Sequence, residues 1–131
     1  MRKLFKRKDT LDCIATREER FNIVKENLLK NSPKFPNEYW PVFNGHMESL
    51  SKIKFCDCCC QYNGYDNSIT FNFYLELNFL LVVSCFLDDE PNEPAVFLIY
   101  KDNELLVADE MCVADIVQTL GEVCNKFVEQ N

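Results

Sequence analysis

Eight cysteines and a single histidine hold most of the reactive side chains in this 131-residue chain. Four of those cysteines, Cys56, Cys58, Cys59 and Cys60, crowd into the stretch KFCDCCCQYNG at 54–64. Metal binding, redox chemistry and plain packing each make different demands on such a run. A zinc site needs four ligands converging in a tetrahedron, usually as two well-spaced pairs. Here no Cys-x-x-Cys is followed by a second pair. A site drawn from Cys56, Cys58, Cys60 and His46 requires neighbours two apart on an extended strand to converge, and such neighbours diverge. A reactive thiolate needs a helix N-terminus, a histidine or a cation beside it. Lys54 is the nearest cation in sequence, and Asp57 offsets it. Adjacent Cys58 and Cys59 close only a strained ring.

Packing asks less. Ile53 and Phe55 are apolar on odd positions, and after Phe55 the apolar set moves to Cys56, Cys58, Cys60 and Tyr62. A one-residue bulge near 55–56 turns both halves toward one core, with cysteine acting as a small hydrophobe. Cys59 then lies on the opposite face. The thiols are therefore expected to be interior, with no cofactor. The rival reading is a thiol- or metal-dependent enzyme or sensor that combines the cysteine run with His46.

Other chemistries have less support. His46 follows Asn44-Gly45 and reads as a solvated residue at a loop tip. Three glycines in the whole chain leave no phosphate-cradling loop or dinucleotide turn. Carboxylates gather at Asp88, Asp89, Glu90 and Glu93, and again at Asp109, Glu110 and Asp115, without the glycine that a calcium loop needs at its turn. The first group, broken by prolines, reads as a solvated hairpin tip and as a possible contact surface for a basic partner. Tyr39 and Trp40, in an aromatic stretch from Phe35 to Phe43, are of the types favoured as binding anchors.

Charge sharpens the partner expectation. The net charge is -7, yet MRKLFKRK at the start holds five of the fourteen basic residues and no acid. Nine basic residues then face twenty-one acidic ones in the remainder, a balance that repels a phosphate backbone and suits a basic protein face. No apolar run follows the basic start, and Asn72, Glu76 and Asn78 interrupt the longest apolar stretch, so neither a secretory signal nor a transmembrane segment is read. Core-rich composition, with 47% hydrophobic residues, favours reduced thiols and a cytoplasmic setting over a disulfide scaffold.

The elements that must position these residues follow from periodicity. Residues 1–9 read as a mobile basic arm, and 10–131 as one domain. A capping box, Thr16 to Glu19, opens a helix that carries Phe21, Val24 and Leu28 and stops at Asn31-Ser32-Pro33. The stretch from Ser32 to His46, with three prolines and four aromatics, reads as an ordered loop. From Ile69 to Leu87 every odd position is apolar, and the even positions turn apolar at Leu80 and Val82. That run is too long for one strand, so a bend or bulge is expected near Asn78, yielding two strands in one phase. NGYDN and DDEPNEP read as turns, and AVFLIY pairs with ELLVA across Lys101-Asp102-Asn103. Val113, Ile116, Val117, Leu120, Cys124, Phe127 and Val128 form the stripe of a last helix, with Gly121 beside it, where a close contact with the sheet would explain it.

The expected fold is α+β: an antiparallel sheet of four to five strands in hairpins, packed against an N-terminal and a C-terminal helix. The expected role is a small acidic protein-binding module, of the inhibitor, immunity or adaptor kind, that occupies a partner's surface. A homodimer through an uncovered sheet face is the third possibility.

Overall fold

A computed structural model describes residues 16–88 and 93–130; the arm expected over 1–9 lies outside them. The described chain forms α1 (Arg17–Asn31), α2 (Trp40–Leu50), strands β1 (Asp57–Asn63), β2 (Ser68–Tyr74), β3 (Phe79–Phe86), β4 (Ala95–Lys101) and β5 (Glu104–Met111), then α3 (Val113–Gln130). The strands make one antiparallel meander in the order β1-β2-β3-β4-β5. The α+β class with an antiparallel sheet of five strands is as the sequence implies.

Helix α1 starts where its capping box demands. The Thr16 hydroxyl accepts from the Glu19 N–H, and Glu19 reaches back to the Thr16 N–H. Its buried positions are Arg20, Val24 and Leu28, one helical turn apart. Arg20 is buried because it serves α2. Its Nε and Nη2 donate to the Ser51 carbonyl at 3.0 and 2.8 Å, while Arg17 donates to the Ser51 hydroxyl and the Glu48 carbonyl. Two guanidinium groups thus satisfy carbonyls at the negative end of α2.

The expected loop is partly helix. Proline at 41 falls within the first turn of α2, where its missing N–H has no partner to lose. Gly45 lies on the exposed side, where an added Cβ would meet nothing within 4 Å. The proline and the glycine that look like breakers therefore occupy the two kinds of helical position that tolerate them.

The long alternating run also resolves differently. It reverses completely at Leu75–Asn78, so that β2 and β3 form a hairpin in place of a bent strand. Leu77 and Asn78 take left-handed φ values of 62° and 61° to make the turn. Phe71 pairs with Val83 and Phe73 with Leu81, so odd residues face odd residues. Partners across an antiparallel ladder share a face, and the alternation survives the reversal unbroken. Asp102 and Asn103, at φ 52° and 70°, close the β4–β5 hairpin as the sequence implies.

All three helices contribute to one core on the odd face of β2–β4. Val24, Leu28, Phe43, Leu50, Ile116 and Leu120 meet Phe71, Phe73, Leu81, Val83, Phe97 and Ile99 there. Cys58 pairs with Phe73 and Cys60 with Phe71, which places even residues of β1 on that same inner face. Gly121 departs from expectation: it is exposed, and an added Cβ would meet nothing within 4 Å, so no close approach to the sheet requires it.

The outer edge of β1 is closed by side chains. Asn27 Oδ1 accepts from the Cys60 N–H at 2.6 Å, and its Nδ2 donates to the Cys58 carbonyl at 3.3 Å. Asn31 Nδ2 donates to the Cys60 carbonyl, and the Ser32 hydroxyl accepts from the Tyr62 N–H. These bonds occupy the backbone groups that an edge strand otherwise offers to another chain. Asn27→Ala is expected to destabilise the fold by about 1–3 kcal/mol through orphaned backbone groups. It should also raise self-association; urea midpoints and light scattering at rising concentration check both.

Candidate functional site

The cysteine run joins the interior. Cys56, Cys58 and Cys60 are buried, as are Ile53 and Phe55 before them, while Cys59 is half-buried on the other face. The described cysteines are thiols and not disulfides. Burial, reinforced by the neighbouring Cys58, Cys59 and Cys85 thiols, pushes the Cys60 thiol far above its ordinary value, which keeps it protonated and poorly nucleophilic.

His46 is not at a loop tip. It lies in α2 and is 7% exposed. Burial lowers its pKa from 6.5, so the imidazole is neutral near pH 7. Among the described residues no three of His, Cys, Asp and Glu gather where they could hold a metal ion.

The aromatic and acidic candidates are drawn together in part. Tyr39 donates its hydroxyl to Asp88 Oδ1 at 2.7 Å, and Asn67 Nδ2 donates to Asp88 Oδ2 at 3.1 Å. The hydrogen bond to Asp88 holds the Tyr39 phenol up at about 12. Trp40 is half-buried, edge-on to Phe35 and Phe43 at 4.7 and 5.2 Å, with Lys25 Nζ 5.3 Å from its ring. Both aromatic residues are thus engaged within the fold. Glu93 is exposed, while Asp89 and Glu90 lie outside the described residues.

A different surface emerges from the strand registers. On the face of the sheet away from the helices, one row runs Asp57, Tyr74, Leu80, Tyr100, Leu105 across all five strands. The next row runs Cys59, Asn72, Val82, Leu98, Ala108. The β1–β2 side of this face is polar and the β3–β5 side is apolar. Tyr74 is 44% exposed, Val96 44%, Phe86 51% and Leu105 53%. No described element covers them. A concavity of about 340 Å³ at one corner is lined by Asp57, Asp102, Tyr74 and Leu80, among others. Leu80 and Val82 signalled this face in the sequence. Its extension through Val96, Leu98 and Tyr100 could not be found there, because neither face of β4 is marked as inner or outer by composition.

A second cleft, of about 330 Å³, opens on the helical side between the β2–β3 turn and α3. Leu75, Phe79, Val117 and Leu120 line it, with Lys52 and Lys54 also on its wall. Burial pushes the Cys124 thiol at this cleft above its ordinary value, leaving it neutral.

With this geometry in view, comparison with known proteins adds nothing: the chain matches no family model, no curated protein and no solved structure. No described helix is long and apolar enough to cross a membrane.

Two measurements check the placement of the reactive groups. Thiol labelling of the native protein, mapped by peptide mass spectrometry, should reach Cys59, Cys112 and Cys124 well before Cys56, Cys58, Cys60 and Cys85. The latter four are expected to label only on unfolding. For His46, a folded pKa below the unfolded 6.5 means that the unfolded chain takes up the proton first. Stability should therefore fall as pH drops through about 6.5 toward the folded value, and His46→Gln should flatten that slope in urea unfolding between pH 7 and 5.

Proposed function

We propose that this chain is a protein-binding module that occupies a partner's surface with the open face of its sheet. The observation that carries the reading is the apolar area over β3–β5, centred on Val82 and Leu98, that no described element covers. A sheet face normally buries its apolar side against another layer, and contiguous exposed apolar area marks a contact surface. Strand spacing and rise give the five-stranded face an outline of roughly 600 Å². That is comparable with the about 800 Å² per partner of a standard protein interface.

Charge favours a basic partner. The strand positions on this face hold no lysine or arginine, whereas Asp57 and Glu110 stand at opposite corners. The corner concavity is lined by Asp57, Tyr74 and Leu80, with Asp102, paired with Lys101 at 3.1 Å, also on its wall. This acidic and apolar setting suits a lysine or arginine side chain with an apolar stem. Asp88 and Glu93, between β3 and β4, stand at the end of the sheet where Phe86 and Val96 lie, and they steer approach without forming the contact.

Leu98→Asp tests the reading, because a half-exposed strand position tolerates the charge while the apolar centre is lost. Capture from the native host, followed by binding measurement with the purified partner, should show a basic protein whose affinity drops about tenfold or more with Leu98→Asp, as expected for a central contact. Asp57→Lys should slow its association, with the effect shrinking as salt rises. A partner that binds Leu98→Asp as tightly as the parent protein overturns the proposal. Light scattering that shows a dimer abolished by Leu98→Asp reassigns the face to a second copy.

A further inference from the structure

We propose that the cleft between the β2–β3 turn and α3 binds an aliphatic carboxylate of medium chain length, its tail on the apolar floor and its head at Lys52 and Lys54. Three independent features converge on this cleft. The first is chemical. Ile53, Leu75, Phe79, Val117 and Leu120 supply an apolar lining, and two lysines stand at the same wall of a chain whose net charge is -7. Glu76 also lines the cleft, so the lysines exceed the local acid by one charge. Among the described residues neither Lys52 nor Lys54 is held in an ion pair. An apolar chain with one anionic head matches that division; a fully polar anion would leave the floor unused.

The second feature is Gly121. Within a helix interior, glycine costs about 1 kcal/mol relative to alanine. At this position an added Cβ would meet nothing within 4 Å, so packing gives no reason for the missing side chain. Gly121 lines the cleft, and its bare backbone keeps that wall open.

The third feature is Leu77. Its left-handed backbone, φ 62° and ψ 27°, makes the β2–β3 turn and sets a large apolar side chain, 64% exposed, at the cleft. Neighbouring bonds maintain that conformation: Lys101 Nζ donates to the Leu77 carbonyl at 2.7 Å, and Asn78 Nδ2 donates to Asp102 at 3.1 Å. A cleft of about 330 Å³, at the lower end of the range for small-molecule sites, sets the size to an octanoate-like ligand.

Titration calorimetry and amide chemical shifts on the full chain with octanoate, octanol and octylamine test the site. Octanoate is expected to bind saturably at one per chain, with shifts centred on Lys52–Lys54, Leu75–Leu77 and Gly121. Gly121→Leu, which fills the cleft, should weaken it about tenfold or more. The pair Lys52→Glu and Lys54→Glu should weaken it about fivefold, the effect of losing partly solvated charge contacts. Both lysines are exposed, so that variant stays readable if Gly121→Leu unfolds. Leu98→Asp, on the opposite face, should leave octanoate binding unchanged. Absence of saturable binding overturns the proposal, as does equal affinity for octylamine. Octanoate affinity unaltered by the lysine reversal overturns it too.

Discussion

A line of phenyl rings under the sheet governs the architecture. Phe43 of α2 stacks over Phe71 at 6.2 Å, Phe71 stacks on Phe73 at 6.0 Å, and Phe73 meets Phe55 at 5.2 Å. At the other end, Phe43 contacts Phe21 of α1 and Trp40. Each ring gains about 1.5–3 kcal/mol by leaving water, and the helices close over the rings to secure that burial. The odd face of β2–β4 is therefore committed to the interior, and all three described helices are spent on that one side. Among the described residues no layer covers the opposite face, which is the physical origin of the surface proposed for partner binding.

The same asymmetry treats the two edges of the sheet differently. Helix α1 runs beside β1, close enough for Asn27, Asn31 and Ser32 to satisfy its backbone. No described residue plays that part beside β5, whose exposed residues include Glu104, Asp109 and Glu110. Charged side chains on an open edge discourage pairing with another copy. Among the described residues, hydrogen bonds thus block one edge and carboxylates guard the other. The cysteine run, for its part, is a consequence of β1 pairing: once Cys58 and Cys60 stand opposite Phe73 and Phe71, they must fill the gap between those rings and α1.

Much of this fold was legible in residues 16–31 and 68–127. The Thr16 capping box, the Lys101–Asn103 hairpin and the stripe of α3 are local signals, each contained within a few turns or one pair of strands. The inward phase of Ile53, Phe55, Cys56, Cys58 and Cys60 was legible for the same reason. However, β1 begins only at Asp57, so the phase changes in the segment before the strand and not at a bulge within it. Helix α2 was hidden because Pro41 and Gly45 are read as breakers from sequence, although proline is harmless in a first turn and glycine only weakens an exposed position. The β2–β3 hairpin was hidden because its register pairs odd with odd residues, which leaves the alternation indistinguishable from that of a bent strand.

Sequence alone settled the periodicities, the cap, the turn chemistry and the charge balance, because each depends on residues close together in the chain. Tertiary structure decided which way the long run folded, that His46 is interior, that Tyr39 and Asp88 bond to each other, and which sheet face the described helices leave open. It also decided that Gly121, Leu77 and two lysines surround one cleft. Those outcomes depend on which surfaces compete for the three helices, and that competition is settled only when distant segments pack. An apolar residue is written the same way whether or not a helix comes to cover it.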